Sequence, residues 1–79
     1  MTTDTQTIEQ VIAESLERFG AEPDQISRAA SFEALNIDSL DLAELSQIVE
    51  SEFGVELTSS DVATVKTVGD AIDLVASRA

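Results

Sequence analysis

Apolar residues recur three or four positions apart in three stretches of this 79-residue chain, and that spacing restricts the possible folds most. Side chains three and four apart share one face of an α-helix, so each stretch predicts an amphipathic helix. The first is predicted over about residues 4–19, the second from Asp38 or Ser39 to about Phe53, and the last after Thr67. The inward positions are Ile8, Val11, Ile12 and Leu16, then Leu42, Leu45, Val49 and Phe53, and finally Val68, Ala71, Ile72 and Val75.

Residues that typically cap or end helices lie at the boundaries of the same stretches. Gly20 and Gly54 follow the first two helices, where glycine commonly ends a helix. Three capping signals are present, each with an Asp three positions after the capping residue. They are Asp38 with Asp41, Thr58 with Asp61, and Thr67 with Asp70. The Thr58 signal predicts a fourth, short helix.

Together these elements predict an all-α fold. We expect a small four-helix bundle of three long helices and one short helix, forming a single domain over residues 1–79. A long loop over residues 21–37 joins the first two helices, and loops of this length are often functional. Val55 and Leu57 favour a strand, but two isolated positions do not make a sheet.

The chain contains neither cysteine nor histidine. It therefore lacks the residues for a disulfide framework, for the common zinc sites and for a Ser-His-Asp arrangement. No D-x-[DN]-x-[DN]-G calcium loop and no glycine-rich phosphate loop occurs either. We predict that the protein is not an enzyme and holds no metal.

Acidic residues dominate the charge of the chain, with sixteen of them against four basic residues and a net charge of −12. No basic residue lies between Arg28 and Lys66, where eight acids occur. Such a field repels nucleic acid and anionic membranes and attracts partners with basic surfaces. Solubility alone is the alternative reading of this charge, and the length of the one-sign run favours docking.

A membrane span is not predicted, because no apolar run approaches roughly 18 residues. The first residues lack the basic and apolar segments of a signal peptide, so a cytoplasmic protein is expected. The hydrophobic content of 43% favours a folded chain over a disordered one.

Ser39 is the candidate site residue, because it is predicted to lie at the start of the second helix directly after the long loop. A helix N-terminus presents unpaired N–H groups and partial positive charge, which favour an attached phosphate group. Helix capping by Asp38 and Ser39 is the alternative explanation, and taken alone the short motif favours it.

Several spaced motifs together resemble the acyl carrier protein family over almost the whole chain. They are the junction Leu35-Asn36-Ile37-Asp38-Ser39-Leu40-Asp41, the pair Glu44-Leu45, the segment Glu50-Ser51-Glu52-Phe53-Gly54-Val55, and Lys66-Thr67-Val68-Gly69-Asp70-Ala71-Ile72. The resemblance implies a carrier whose Ser39 receives 4′-phosphopantetheine from coenzyme A, with Asp38 assisting the synthase and its Mg²⁺. Acyl groups would then be carried as thioesters on the thiol of this arm.

The resemblance also implies partners and two sets of contact residues. The partners are a holo-acyl-carrier synthase (phosphopantetheinyl transferase), acyltransferases, ketosynthases and other acyl-processing enzymes with basic surfaces, which a monomeric carrier would visit. The expected docking residues are Leu40, Asp41, Glu44, Gln47, Ile48, Glu50 and Glu52. The expected lining of an acyl-chain pocket is Leu42, Leu45, Val49, Phe53, Val68 and Ile72.

Departures from the family pattern leave the pathway open. Asn36 stands where glycine is usual, although asparagine also tolerates left-handed backbone geometry. Ser46, Gln47 and Ser51 make the second helix more polar than in typical fatty-acid carriers. Fatty-acid, polyketide and other specialised pathways all remain possible. The alternative from a different class is an unmodified acidic helical adaptor, and a peptidyl carrier ranks below an acyl carrier.

Overall fold

The structure is a computed structural model that describes residues 4–79. These residues form four α-helices, α1 (Thr5–Arg18), α2 (Ser39–Phe53), α3 (Ser59–Thr64) and α4 (Val68–Arg78), with a short 3₁₀ turn at Pro23–Gln25. The all-α prediction is confirmed, including three long helices and one short one. The sequence did not predict the 3₁₀ turn inside the long loop.

The three predicted capping signals all form complete capping boxes. The Asp38 carboxylate accepts from the Asp41 amide at 2.9 Å, and the Thr58 and Thr67 hydroxyls accept from Asp61 and Asp70 in the same way. In each box the Asp side chain also accepts from the backbone of the capping residue. Gly54 ends α2 in the left-handed conformation, with φ of 69°.

The loop between α1 and α2 is pinned by backbone hydrogen bonds and buried side chains. Phe32 donates to the Lys66 carbonyl at 3.1 Å, and Val68 donates to the Ala30 carbonyl at 2.9 Å, so the loop is tied to the start of α4. Phe32, Leu35 and Ile37 are buried. The loop is therefore an ordered part of the fold that fixes where α2 begins.

The core lies where α1 packs on α4 and α2. Its members come mainly from the predicted inward faces, while Val11, Leu42 and Phe53 are only partly buried. The fully buried side chains are Ile8, Ile12, Leu16, Val49, Val75 and Ser15. Ser15 is tolerated inside because its hydroxyl donates to the Val11 carbonyl at 2.8 Å.

Two arginines join α4 to the rest of the molecule. Arg28 in the loop contacts Glu9 of α1 at 3.3 Å and Asp73 of α4 at 2.7 Å. Arg78 at the end of α4 donates to both carboxylate oxygens of Asp61 in α3, at 2.6 and 2.8 Å. None of the helices within residues 4–79 is both long enough and apolar enough to cross a membrane.

Candidate site at the start of helix α2

Ser39 is the first residue of α2 and is exposed to solvent. Asn36 and Ile37 place it there. Asn36 takes the left-handed conformation with φ of 60°, which asparagine tolerates in place of the usual glycine, and Ile37 is buried. The backbone turns at Asn36, the buried Ile37 anchors it to the core, and the chain reaches the surface at Asp38. The Ser39 side chain therefore lies outside the bundle. Its hydroxyl makes no hydrogen bond to another residue within 4–79.

The helix N-terminus leaves two amides free beside that hydroxyl. The Asp38 carboxylate accepts a hydrogen bond from the Asp41 amide, so this amide is not among the unpaired N–H groups of the first turn. The amides of Ser39 and Leu40 have no carbonyl one turn earlier in the helix to receive them. Two unpaired N–H groups and the positive end of the helix dipole therefore adjoin the Ser39 oxygen, an arrangement that suits a phosphodiester.

Two carboxylates flank the same hydroxyl. Asp38 and Asp41 are joined by their reciprocal capping bonds, with the Asp38 amide donating to the Asp41 carboxylate at 3.4 Å. Within residues 4–79 no group of three or more metal-ligating side chains comes together. A cation bridging this site to a partner would therefore need ligands from that partner as well as from this chain.

The residues present fit an attached 4′-phosphopantetheine group. The Ser39 oxygen is a primary alcohol that is accessible from solvent, and the amides next to it can receive the phosphate. Leu40, the adjoining residue, is 79% exposed, so both residues at the start of α2 are open to solvent.

The docking residues expected on α2 are distributed over its outer surface. Leu40, Glu44, Gln47, Glu50 and Glu52 are exposed, whereas Asp41 and Ile48 are partly buried. Glu44, Gln47 and Ile48 come together on one wall of an open groove whose other wall is the end of α1. Arg18, Phe19 and Ser51 complete this groove. None of these three was predicted, because the relation of α1 to α2 is not visible in either helix alone.

An apolar cavity lies among α2, α3 and α4. Of the six residues expected to line an acyl pocket, three line this cavity, namely Leu42, Leu45 and Val49. Phe53, Val68 and Ile72 do not. The first turn of α4 pairs with the Arg28–Ser31 segment of the loop, so Val68 and Ile72 adjoin Glu9 and Ile26 in a separate groove toward α1.

The opposite wall of the cavity comes from α3 and its flanking segments. Leu57, Val62 and Val65 supply that wall, and the remaining lining residues are Ile12, Phe32, Ser46, Ala71 and Val75. Val62 and Val65 stand at helical spacing, which could have indicated an inward face for α3. The cavity measures about 20 Å³, which is space for about one water molecule. A chain of several carbons would enter only if the walls moved apart.

The architecture and the site define a class of protein, a small helical carrier domain with an exposed serine, Ser39, where the long loop meets the second helix. Residues 6–75 match the model of a family described as "Phosphopantetheine attachment site". The structure is also similar to that of an acyl carrier protein from Enterococcus faecalis, with a TM-score of 0.81, 30% identity and full coverage of both chains.

The chain therefore belongs to the phosphopantetheine attachment family and has the fold of an acyl carrier protein. The cofactor of this family is 4′-phosphopantetheine, held covalently. The resemblance drawn from the motifs around Ser39 is confirmed at the level of the family and its cofactor.

Proposed function

We propose that this protein carries acyl intermediates as thioesters on a 4′-phosphopantetheine arm attached to Ser39 and delivers them to fatty-acid or polyketide biosynthetic enzymes. The observation that carries the proposal is the exposed, unpaired Ser39 hydroxyl at the start of α2, inside the segment that matches the family. When attached, the arm supplies a terminal thiol that forms thioesters.

The residues of this chain have restricted roles in the proposal. The Ser39 oxygen forms the phosphodiester bond and then serves as a tether. Asp38 keeps α2 capped beside the tether and presents a carboxylate to the transferase and its Mg²⁺. The chain contains no cysteine, so the acylated thiol belongs to the arm. In this proposal the chemistry on the acyl group is done by partner enzymes and the protein is not an enzyme.

The attachment residue is tested by incubating the protein with coenzyme A, Mg²⁺ and a broad-specificity phosphopantetheinyl transferase. Intact-mass measurement should show one phosphopantetheinyl group on the native chain and none on Ser39→Ala. Ser59 offers a matched control, since it is also an exposed first residue of a helix behind a capping box. Ser59→Ala should be modified as the native chain is. An unmodified native chain would favour the acidic adaptor instead.

The docking residues form the second part of the proposal. Leu40 is exposed next to the tether, and Asp41, Glu44, Gln47, Ile48, Glu50 and Glu52 extend along α2. We expect transferases, acyltransferases and ketosynthases to meet this surface with basic residues. Leu40→Ala should lower kcat/KM of the transferase yet change the free energy of unfolding by no more than about 0.5 kcal/mol. If raised salt left the kcat/KM of the transferase unchanged, the proposed attraction between the acidic residues of α2 and basic partner residues would be contradicted.

The apolar cavity supports a further part, in which α2, α3 and α4 separate to shelter the acyl chain. In this proposal one wall of the acyl-chain pocket consists of Leu42, Leu45 and Val49, and the opposite wall consists of Leu57, Val62 and Val65. Loading the native chain with octanoyl rather than acetyl groups should shift the methyl resonances of these residues. Equal spectra for the two loaded forms would contradict sheltering.

We further propose that residues 1–79 act as one domain, as a monomer and in the cytoplasm. Repulsion between copies that each carry a net charge of −12 supports the monomer. Sedimentation of the modified protein would test the monomeric state, because a dimer would double the measured mass.

A further inference from the structure

The groove between the end of α1 and the outer face of α2, here called the α1–α2 groove, has mixed chemistry. Phe19 and Ile48 are its half-buried apolar members, and Arg18 and Glu44 are its exposed charges. Its volume is about 510 Å³, far larger than that of the interior cavity, and it is open to solvent. The groove is therefore accessible to a side chain of another protein without any change in the fold.

Arg18 differs from the two arginines that hold the fold together. Arg28 and Arg78 are both paired with carboxylates of other elements. Arg18 makes no ion pair with a carboxylate in the described part of the chain. Among sixteen acids and four bases, a cation with no carboxylate partner within residues 4–79 lies at the edge of the acidic face of α2.

Backbone hydrogen bonds and core packing fix the end of α1, and with it the backbone of Arg18, relative to α2. The Phe19 amide donates to the carbonyls of Ser15 and Leu16 at 3.1 Å, and the Ala21 amide donates to the Leu16 carbonyl at 3.0 Å. Leu16 itself is fully buried, and α1 packs against α2. The backbone at Arg18 is thus set by the core, so the Arg18 side chain leaves α1 from a defined point beside the acidic residues of α2.

We infer that the α1–α2 groove docks a partner segment that carries an apolar side chain between a basic and an acidic residue. This inference rests on the proposed use of α2 as a docking surface. The apolar side chain would contact Phe19 and Ile48, the basic residue would pair with Glu44, and the acidic residue would pair with Arg18. A partner surface that is basic throughout would meet uncompensated repulsion at Arg18. Arg18 therefore selects among partners that the acidic residues alone would all attract.

Two stapled helical peptides provide the probe. They share one sequence with a central leucine and differ only in the two flanking residues, which are Lys and Glu in one peptide and Lys and Lys in the other. Binding is followed by amide shift changes in ¹⁵N-labelled full-length protein, which register weak complexes. At roughly 0.15 M ionic strength the screening length is about 8 Å, so local pairs rather than total charge decide the order.

The native chain should bind the Lys/Glu peptide roughly threefold more tightly than the Lys/Lys peptide, since an exposed ion pair has about that effect. Shifts should be largest around Phe19 and Ile48. Arg18→Glu should reverse the order of these two peptides. Lys66→Glu changes the net charge equally but lies outside the groove, so it should keep the native order. Tighter binding of the Lys/Lys peptide to the native chain, or no effect of Arg18→Glu on the order, would overturn the inference.

Failure of this inference is distinguishable from failure of the carrier role. Modification of Ser39 is read by intact mass and does not involve the peptides. A modified protein without peptide discrimination would refute only the groove. An unmodified protein that discriminates between the peptides would keep the groove as an adaptor surface and refute the carrier role.

Discussion

The Gly69 amide donates to the Arg28 carbonyl oxygen at 2.9 Å, and a Cβ atom at position 69 would itself lie 2.9 Å from that oxygen. The same Cβ would lie 3.2 Å from the Cβ of Arg28. Position 69 is therefore where α4 and the loop approach too closely for any side chain.

Gly69→Ala should destabilise the protein, although alanine normally favours a helix over glycine. The clash is with backbone, which cannot move aside as a flexible side chain can, and overpacking of this kind costs about 1–3 kcal/mol. Urea unfolding measures the change. Ser77→Ala, an exposed change in the same helix, is the control and should stay within about 0.5 kcal/mol. Native-like stability of Gly69→Ala would show that the loop can withdraw freely.

The left-handed backbone at Asn36 gives a second prediction. Asn36→Ala should cost about 1 kcal/mol, because alanine has a Cβ and lacks the short polar group that makes this conformation tolerable. Asn36→Gly should be at least as stable as the native chain within about 0.5 kcal/mol, since glycine adopts positive φ without strain. Equal urea midpoints for the Ala and Gly variants would contradict a conformational cost at this turn.

Asp38 caps α2 and has a proposed second role in the modification of Ser39, and substitutions can separate the two. Asp38→Asn keeps a side-chain oxygen for the Asp41 amide, so it should preserve stability, yet it removes the charge offered to the transferase and should lower kcat/KM for modification. Asp38→Ala removes the cap as well and should cost about 1 kcal/mol. Thermal unfolding and the mass-based modification rate measure the two roles. Full-rate modification of Asp38→Asn would leave Asp38 only its capping role.

Asp61 gives a prediction about pH. Hydrogen bonds from Arg78, followed by the bond from the Thr58 backbone, lower the pKa of its carboxyl group. The stability this adds is present above about pH 3.9, the usual pKa of an unfolded Asp, and is lost as the pH falls through the lower folded-state pKa. The stability difference between the native chain and Asp61→Asn should therefore be largest near neutral pH and shrink in acid.

The native chain and Asp61→Asn are compared over a pH series, so that the effect of the net charge of −12 on stability, which both share, largely cancels. Arg78→Gln should remove most of the same pH dependence, because the paired hydrogen bonds from Arg78, at 2.6 and 2.8 Å, contribute most to the lowered pKa of Asp61. A pH dependence that survives Arg78→Gln would assign it to the capping bond with Thr58.

Local features of this chain were predictable from the sequence because neighbouring residues determine them. The capping boxes at Asp38, Thr58 and Thr67 depend on residues three apart, and the backbone at Asn36 depends on one side chain. The exposed position of Ser39 follows from the same junction.

Contacts between distant parts of the chain were not predictable in this way. Arg28 and Asp73 are 45 positions apart, and Arg78 and Asp61 are 17 apart in separate helices. The position of Val68 and Ile72 in a groove apart from the interior cavity was unpredictable for the same reason, because periodicity shows that a side chain faces inward but not which neighbouring element it meets. The contribution of Arg18 to the α1–α2 groove could not be predicted either, because it depends on how two helices pack together.

Leu40 is the one large apolar side chain that residues 4–79 leave well exposed, on a chain with a net charge of −12. A single leucine is too small a patch to hold two copies together against their mutual repulsion. We therefore expect a crowded population of this protein to stay dispersed. Under the proposed function, self-association would then not compete with binding to basic partner surfaces, even at a high concentration of the carrier.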